Sequence, residues 1–338
     1  MILVTGGTGL VGSHLLYELA RKGESIRAIK RANSNTNFVR WVFELYNSSV
    51  DSLFQQIEWV DADLLDYESL IAATKNIETV YHTGAVVSFN PSQAKTINTT
   101  NVIGTANLVD ACLESGVKNF CHVSSVAALG DSKNGAIDES CKWEKSKGQS
   151  AYAKSKFMGE NEVWRGFEQG LRVIIVNPSV ILGPGRWDSG SGQLFKQVRK
   201  GMPFYTTGIT GYVDVRDVAR AMILLLDNPN INGERFVLNA QNLSYNEVFS
   251  MMADGLGKKP PRLKVDPWIV NAIYPFIFFA GIISGKGNAI SKANLKSAFS
   301  KTFYSSEKIT SKIGFNFTPI SKTIEFVSSI YLKDLEHK

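Results

Sequence analysis

A glycine-rich turn between a strand and a helix constrains this chain more than any other feature of its sequence. In the segment VTGGTGLVGSHLL, Gly6, Gly9 and Gly12 follow an apolar, strand-like run and open a helical one. Glycines at this spacing permit a tight turn, an approach of the backbone to a pyrophosphate, and close packing of helix on strand. The free N–H groups and the dipole of such a helix attract phosphate. The turn, which also contains Leu10 and Val11, predicts a dinucleotide-binding site; a plain glycine-rich turn is the alternative.

Short β-branched runs alternate with longer helical patterns through the first half of the chain. Such alternation predicts a parallel sheet that is covered by helices on both faces. The predicted strands lie at 2–5, 25–29, 57–60, 79–83, 119–124 and 171–176, and the predicted helices at 10–21, 67–73, 94–114 and 151–167. The predicted fold class is therefore α/β, a doubly wound parallel sheet of the Rossmann type.

The rhythm of strands and helices breaks after Val176, where loops and glycines precede a helical, apolar C-terminal part. We therefore predict a dinucleotide-binding domain over residues 1–176 and a smaller, mostly helical substrate-binding cap over residues 177–338. Part of residues 212–240 is expected to return to the first domain. A cap in this position would close over the carboxyl ends of the strands, where ligands bind in such sheets.

Composition places the chain among ordinary globular proteins. The 338 residues are 44% hydrophobic and 20% charged, and the basic residues behind the net charge of +6 are scattered, which argues against a nucleic-acid partner. The opening residues, MILVTGG, contain no charged leader or cleavage site, so we expect a cytoplasmic location. The three cysteines lack metal-ligand spacing, and we expect buried free thiols and no metal.

An apolar segment at 267–286, PWIVNAIYPFIFFAGIISGK, raises the question of membrane contact. Asn271 and Pro275 interrupt the segment, and a bilayer span needs about 20 consecutive apolar residues. The favoured interpretation is a pair of buried helices or one wall of a pocket for an apolar substrate. Peripheral membrane contact is the alternative.

The residues after the second predicted strand bear on the choice of nicotinamide cofactor. An acidic side chain there accepts hydrogen bonds from the ribose of NAD, whereas basic groups bind the 2′-phosphate of NADP. The segment IRAIKRANSN carries Lys30 and Arg31 and no carboxylate, which favours NADP(H) over NAD(H). Both side chains could instead be solvated loop charges. After the third strand, Asp63 and Leu64 are candidates to contact the adenine, and a helix cap is the alternative for Asp63.

The segment AYAKSK places Tyr152 and Lys156 on one face of a predicted helix, because residues four apart are separated by about one turn. A fixed ammonium lowers the pKa of a neighbouring phenol, which makes this pair a candidate general acid. The same spacing recurs at Tyr304 and Lys308. The serines between them look like helix N-caps that would leave Tyr304 outside the helix, so we interpret this second pair as coincidence.

Several motifs in a fixed order resemble the extended short-chain dehydrogenase/reductase family over residues 1–240. They are the glycine-rich turn, NVIGTANLVDAC (101–112), HVSSVAALG (122–130), YAKSK and NPSVILGPG (177–185). The chain is most similar to the dihydroflavonol reductase and 3β-hydroxysteroid dehydrogenase branch. This resemblance implies a Ser–Tyr–Lys site, a nicotinamide cofactor and a C-terminal substrate cap.

By position, the resemblance also assigns the roles at the reacting centre. Tyr152 would be the acid/base, and Lys156 would bind the nicotinamide ribose and lower the pKa of Tyr152. Ser125 would hydrogen-bond the substrate carbonyl, with Ser124 as the alternative for this serine.

The same resemblance implies that Asn101 lines the cofactor and that Pro178 and Ser179 lie against its carboxamide. Ser88 and Phe89 follow the fourth predicted strand and are candidates for substrate contact, with core packing as the alternative for Phe89. Many members of this family form a four-helix dimer interface, which makes a homodimer a candidate assembly.

These features indicate an NADP(H)-dependent oxidoreductase that reduces the ketone or aldehyde carbonyl of a small, apolar substrate. Dehydratases of the same family carry a threonine and an acidic pair where this chain reads SSVAA. An NAD-dependent nucleotide-sugar epimerase is the alternative, although its cofactor strand usually ends in an acid. A second alternative is a non-catalytic NADP-binding sensor or scaffold, which usually lacks the tyrosine or the lysine.

Overall fold

A parallel sheet flanked by helices organises the chain in its computed structural model, which describes residues 1–46, 50–88, 90–132, 135–144, 149–268 and 298–336. The strands are β1 (Ile2–Thr5), β2 (Ile26–Lys30), β3 (Ile57–Asp61), β4 (Thr79–His82), β5 (Asn119–Val123), β6 (Arg172–Pro178), β7 (Val180–Leu182), β8 (Phe204–Tyr205), β9 (Ile209–Asp214), β10 (Glu234–Leu238), β11 (Gln241–Ser244) and β12 (Leu263–Lys264).

Helices connect these strands. They are α1 (Leu10–Arg21), α2 (Asn37–Tyr46), α3 (Val50–Phe54), α4 (Tyr67–Thr74), α5 (Ala94–Asn98), α6 (Gly104–Glu114), α7 (Ala151–Glu168), α8 (Gly192–Arg199), α9 (Val215–Asp227), α10 (Tyr245–Gly255), α11 (Glu307–Ile313) and α12 (Ile320–Glu336). A π-helical turn, Thr99–Ile103, joins α5 to α6, where the sequence predicted one unbroken helix. The other predicted helices and strands are confirmed, with ends that differ by one or two residues.

The central sheet has seven parallel strands in the order β10-β6-β5-β4-β1-β2-β3. The chain moves outward from β1 to β3 and then returns to the other side of β1 with β4, β5 and β6. The order therefore reverses between β1 and β4, and ligands of doubly wound sheets bind outside the carboxyl ends of the strands at such a point. This topology confirms the predicted α/β fold class.

Apolar side chains cover both faces of the sheet. Leu16 and Met222 lie in the cluster formed with α1 and α9, and Phe120 and Val163 lie in the cluster beneath α4, α6 and α7. All four side chains are fully buried. Burial on both faces explains why the strands read as continuous β-branched and aliphatic runs without alternation.

The second half of the chain contributes both to the central sheet and to smaller sheets. Strand β10 pairs with β6 at the edge of the central sheet. Strand β9 pairs with β7 and β11 in a three-stranded sheet, and β8 pairs with β12. Helices α10 and α12 bury Met252 and Ile324 in a separate cluster. The proposed domain boundary at residue 176 stays a prediction.

Within the described ranges, no helix has the length and apolar character needed to cross a membrane. Most of the apolar segment at 267–286, from residue 269 onward, lies outside the described residues, as does Phe89. Cys112 and Cys121 are free and buried, as predicted, and Cys141 is half-buried.

The turn after β1 leaves no room for a side chain at Gly12. A Cβ atom there would lie 2.2 Å from the carbonyl oxygen of Gly6. We expect Gly12→Ala to lower the free energy of unfolding by about 1–3 kcal/mol in urea denaturation, because the added methyl group overpacks the contact between α1 and the turn after β1. Gly9→Ala is the control, since its Cβ would lie 3.2 Å from the same oxygen. Equal losses for the two variants would contradict this account.

Candidate functional site

The glycine-rich turn brings the ends of β1 and β4 together. Gly6 has a φ of +68°, and a Cβ atom at this position would lie 2.5 Å from the backbone nitrogen of Gly84, which follows β4. Gly9 precedes α1 and makes no side-chain cap for it. The first N–H groups of α1 therefore have no capping side chain to accept from them, which suits a phosphate ligand. The positive φ of Gly6, the close backbone contact beside it and the uncapped start of α1 agree with a dinucleotide bound where the strand order reverses.

Leu10 and Val11 begin α1 beside this turn. The Leu10 side chain lies against Gly185, whose Cβ, if present, would be 3.1 Å from Leu10 Cδ1. The carbonyl oxygen of Leu10 accepts a hydrogen bond from Nδ1 of the buried His14 at 2.9 Å. Val11 packs at the border of the core below α1.

Lys30 has a carboxylate partner that the sequence did not reveal. Strands β2 and β3 pair in parallel with Lys30 opposite Asp61, and the Lys30 ammonium lies 2.5 Å from an Asp61 carboxylate oxygen. The segment after β2 itself carries no carboxylate, but the fold brings Asp61 to the end of β2, so an acidic group does lie beside Lys30. Arg31 is exposed, and its side chain forms no ion pair with any of the described residues. Only one of the two predicted phosphate-binding cations thus remains unengaged within those ranges.

Asp63 and Leu64 lie in the loop after β3. Asp63 Oδ1 accepts a hydrogen bond from the N–H of Leu65 at 2.9 Å and so shapes this loop. The N-cap of α4 is Asp66 and not Asp63. Leu64 packs between the turn after β4 and the start of α6, since a Cβ at Gly104 would lie 2.9 Å from Leu64 Cβ. Leu64 is thus at the edge of the switch-point crevice.

Tyr152 and Ser125 meet at the carboxyl end of β5. The side chain of Ser150 caps α7 and orients its first turn, which carries Tyr152. Ser125 follows β5, hydrogen-bonds to Tyr152, and accepts a hydrogen bond from the N–H of Ala127 at 3.1 Å. Because Oγ of Ser125 accepts from the backbone, its own proton is available for donation.

Burial dominates the protonation of Tyr152. Desolvation raises the pKa of Tyr152, and the hydrogen bond from Ser125 opposes that shift. The sequence predicted that Lys156 lowers this pKa, and that role stays a prediction. In this structure burial of the phenol is the largest effect and the net shift is upward. The Lys156 ammonium donates instead to the carbonyl oxygen of Val123 at 2.9 Å.

Lys156 itself is buried, with 4% of its surface exposed. Burial lowers the pKa of Lys156 to about 8, and the negative charge of Glu160, one turn further along α7, works against that shift. An ammonium with this pKa is still mostly protonated at neutral pH. It therefore places positive charge on the same helix as Tyr152.

The two candidate serines differ in their surroundings. Ser124 is buried and donates to Oε2 of Glu160 at 2.7 Å. Ser125 is half-exposed and contacts Tyr152. The geometry therefore favours Ser125 over Ser124 for contact with a substrate.

Asn101 lies on the π-helical turn between α5 and α6 and is buried. Its side chain accepts from the N–H of Val86 at 2.7 Å and donates to the carbonyl oxygen of Val86 and to Oγ of Ser155. Asn101 thus joins the loop after β4 to α7. Pro178 ends β6, and Ser179 is held by hydrogen bonds from its N–H and hydroxyl to the carbonyl of Leu238.

A buried histidine pair beside Lys156 was missed by sequence reasoning. His82 and His122 occupy paired positions on β4 and β5, with ring centroids 5.0 Å apart. His82 hydrogen-bonds to Thr5 at 2.6 Å and to Thr105 at 3.0 Å. Burial lowers the pKa of His82 to about 3 and that of His122 well below its ordinary value, and Lys156 adds to both shifts. The strand-end histidines in TVYHT and NFCHVS were the available signal.

The second tyrosine–lysine pair is not arranged like the first. Helix α11 starts at Glu307 after Ser306, so Tyr304 lies outside the helix that carries Lys308, as predicted.

The candidate site lies at the carboxyl edge of the sheet, with Asn101 anchored behind it. Its members are Gly6, Gly9, Gly12, Ser125, Tyr152 and Lys156. Ser88 caps its own loop through the N–H of Asn90 at 3.2 Å.

The model of the NAD dependent epimerase/dehydratase family matches residues 2–239. Sterol demethylase protein B of Methylococcus capsulatus is 30% identical over 275 residues, which cover 80% of this chain and 79% of that protein. A putative dihydroflavonol 4-reductase of Synechocystis is 30% identical over 274 residues, which cover 79% of this chain and 75% of that protein.

Solved structures match nearly the whole chain. The crystal structure of gox2253 has 29% sequence identity and a TM-score of 0.82, and the match covers 99% of this chain and 98% of the other. UDP-glucose 4-epimerase from Thermotoga maritima, solved with UDP-glucose, has 19% identity and a TM-score of 0.76 over 99% of each chain. The second likeness shows the fold alone.

The buried histidines make stability depend on pH. Because their pKa values are lowered in the folded state, the stability they contribute is complete above about pH 6.5 and is lost as the pH falls towards the folded values. The free energy of unfolding of the original protein should decrease between pH 7.5 and pH 5. In His122→Leu we expect this decrease to be smaller by about 2 kcal/mol. Urea denaturation at both pH values measures this difference. Equal decreases in the two proteins would show that His122 does not titrate on unfolding as described.

Proposed function

The chain belongs to the NAD dependent epimerase/dehydratase family, as its resemblance to extended short-chain dehydrogenases/reductases predicted, and from that premise we propose that it is an NADP(H)-dependent carbonyl reductase. Its substrate would be a small, apolar ketone or aldehyde. The observation that carries this proposal is the hydrogen bond between Ser125 and Tyr152 at the carboxyl end of β5, one helical turn from the Lys156 ammonium.

Tyr152 is the group that would deliver the proton. Its raised pKa keeps the phenol protonated at neutral pH, which is the state needed to donate to a carbonyl oxygen that gains negative charge. Ser125, with its hydroxyl proton free of the backbone, would donate a hydrogen bond to the same oxygen. Lys156 would stabilise the developing negative charge electrostatically in a site from which water is largely excluded.

The nicotinamide, when bound, would supply a hydride to the carbonyl carbon. The glycine-rich turn and the N-terminus of α1 would hold its pyrophosphate, with Leu64 and Asp63 near the adenine. Asn101, Pro178 and Ser179 would form the wall at the nicotinamide end. The role of each of these residues is part of the proposal.

Arg31 is the cation that we assign to the 2′-phosphate of NADP. It is exposed after β2, whereas the charge of Lys30 is already balanced by Asp61. A guanidinium binds phosphate oxygens bidentately, so Arg31 alone can distinguish the two cofactors. Lys30 would contribute only a weaker, long-range attraction.

The apolar nature of the substrate is supported by two observations. The relatives at 30% identity carry names that refer to a dihydroflavonol and to a sterol, both ring compounds. The sequence of residues 267–286 is strongly apolar.

A homodimer stays a prediction. It is supported by two exposed apolar side chains, Ile103 at the π-helical turn between α5 and α6 and Met158 on α7.

Turnover of NADPH with aryl and steroidal ketones, compared with turnover of UDP-sugars in the presence of NAD, tests this function. We expect oxidation of NADPH with the ketones and none with the sugars. We also expect Tyr152→Phe to lower kcat by about 10²–10⁴-fold and to leave the Kd for NADPH nearly unchanged, because only the proton donor is removed.

Tyr304→Phe is the matched control, since it makes the same change in the other tyrosine–lysine pair, and its turnover should stay near that of the original protein. Sugar interconversion without ketone reduction would favour an epimerase. Full activity in Tyr152→Phe would refute the assignment of the proton donor.

Cofactor preference provides a separate prediction. We expect Arg31→Ala to weaken NADPH binding by about 1.5–3 kcal/mol, or roughly 10–150-fold in Kd, because a charged hydrogen bond to phosphate is lost. Binding of NADH should be unchanged. Fluorescence titration measures both constants, and Lys30→Ala is the control with a smaller effect on NADPH. Equal losses for both cofactors in Arg31→Ala would contradict this role.

A further inference from the structure

Glu160 is a buried carboxylate on α7 with four hydrogen-bond donors around it. Its side chain is 2% exposed. Oε2 accepts from Ser124 Oγ at 2.7 Å and from Asn177 Nδ2 at 2.9 Å. Oε1 accepts from Arg235 Nη1 at 3.1 Å and from Trp164 Nε1 at 3.4 Å. Breaking the hydrogen bonds of a buried carboxylate costs free energy, so Glu160 holds these four donor groups in place around it.

These hydrogen bonds fix the turn that carries Ser125. Asn177 also donates to the carbonyl oxygen of Ser125 at 3.0 Å. Glu160 therefore holds the turn twice, directly through the hydroxyl of Ser124 and indirectly through Asn177. The hydroxyl of Ser125 is left to contact Tyr152.

The same helix face contacts two consecutive residues at the end of β5. The Lys156 ammonium donates to the carbonyl oxygen of Val123, and the Glu160 carboxylate accepts from the hydroxyl of Ser124. Since residues four apart on a helix are neighbours, the carboxylate of Glu160 faces the ammonium of Lys156 across one turn. It is the negative charge that opposes the effect of burial on Lys156.

Arg235 completes this arrangement from β10. Its guanidinium binds Glu160 and also donates to the carbonyl oxygens of Glu139 and Cys141, at 2.7 Å and 3.1 Å. The loop before α7 is thereby tied to the same carboxylate. The pair Glu160–Arg235 links the last strand of the sheet to the helix that carries Tyr152.

We propose that Glu160 is a positioning residue that holds the Ser125 turn against α7 and supplies the negative charge that balances Lys156. The inference rests on the proposed function, because it assigns Ser125 and Lys156 their roles. Tyr152, His82 and His122 are the other titratable groups beside Lys156, from α7, β4 and β5. Burial keeps both histidines neutral at neutral pH, so Glu160 is the charged group that faces Lys156.

The test compares Glu160→Gln with Glu162→Gln, a control on the same helix whose side chain is 29% exposed and pairs with Arg165. Without the carboxylate, the pKa of Lys156 falls and its proton is lost at lower pH. We expect the alkaline limb of the kcat profile to move to lower pH by about one unit, which is about a tenfold loss on that limb. The profile of Glu162→Gln should coincide with that of the original protein.

The NMR chemical shift of the Lys156 side chain, followed as a function of pH in protein with isotope-labelled lysine, measures the same titration without turnover. A lower midpoint in Glu160→Gln supports the inference, even if no carbonyl is reduced and the proposed function fails. An unchanged midpoint in an active protein would overturn the inference and leave the function intact. If Glu160→Gln does not fold, Glu160→Gln/Arg235→Gln removes both members of the ion pair. Because loss of the guanidinium opposes loss of the carboxylate, we expect a smaller decrease of the midpoint, and no decrease would overturn the inference.

Discussion

The buried ammonium of Lys156 is the constraint on which the rest of the site depends. A charge in a protein interior is costly unless it is paired and hydrogen-bonded. Here the carbonyl oxygen of Val123 accepts a hydrogen bond from the ammonium, and the negative charge of Glu160, one turn further along α7, opposes the effect of burial. The neighbouring histidines have to be neutral, and burial makes them so. The end of β5 and the face of α7 are therefore held together by the hydrogen bonds of Lys156 and Glu160.

The fold provides an edge at which chemistry can be placed but does not choose that chemistry. The proteins that this chain resembles include a putative reductase by sequence and an epimerase by fold. In our proposal the choice depends on few side chains. Tyr152 is protonated, Ser125 can donate beside it, and Arg31 stands exposed where a 2′-phosphate would bind.

Particular residues show how far sequence reasoning reaches. The strands, most helices and the glycine-rich turn were predictable because periodicity and glycine spacing are local properties. So was the difference between Tyr152 and Tyr304, because a serine cap is also local. The partner of Lys30 was not, because Asp61 is 31 residues away and becomes its neighbour only through the register of β2 and β3.

The sequence by itself determined the α/β class, the position of the glycine-rich turn, and the helix that brings Tyr152 and Lys156 to one side. Tertiary structure alone decided the state of these groups. Burial raises the pKa of Tyr152 and lowers that of Lys156. The Glu160 carboxylate accepts the hydrogen bond of Ser124, whereas Ser125 lies beside the phenol of Tyr152. The physical reason is that desolvation and long-range pairing depend on which elements pack together, and no local pattern encodes them.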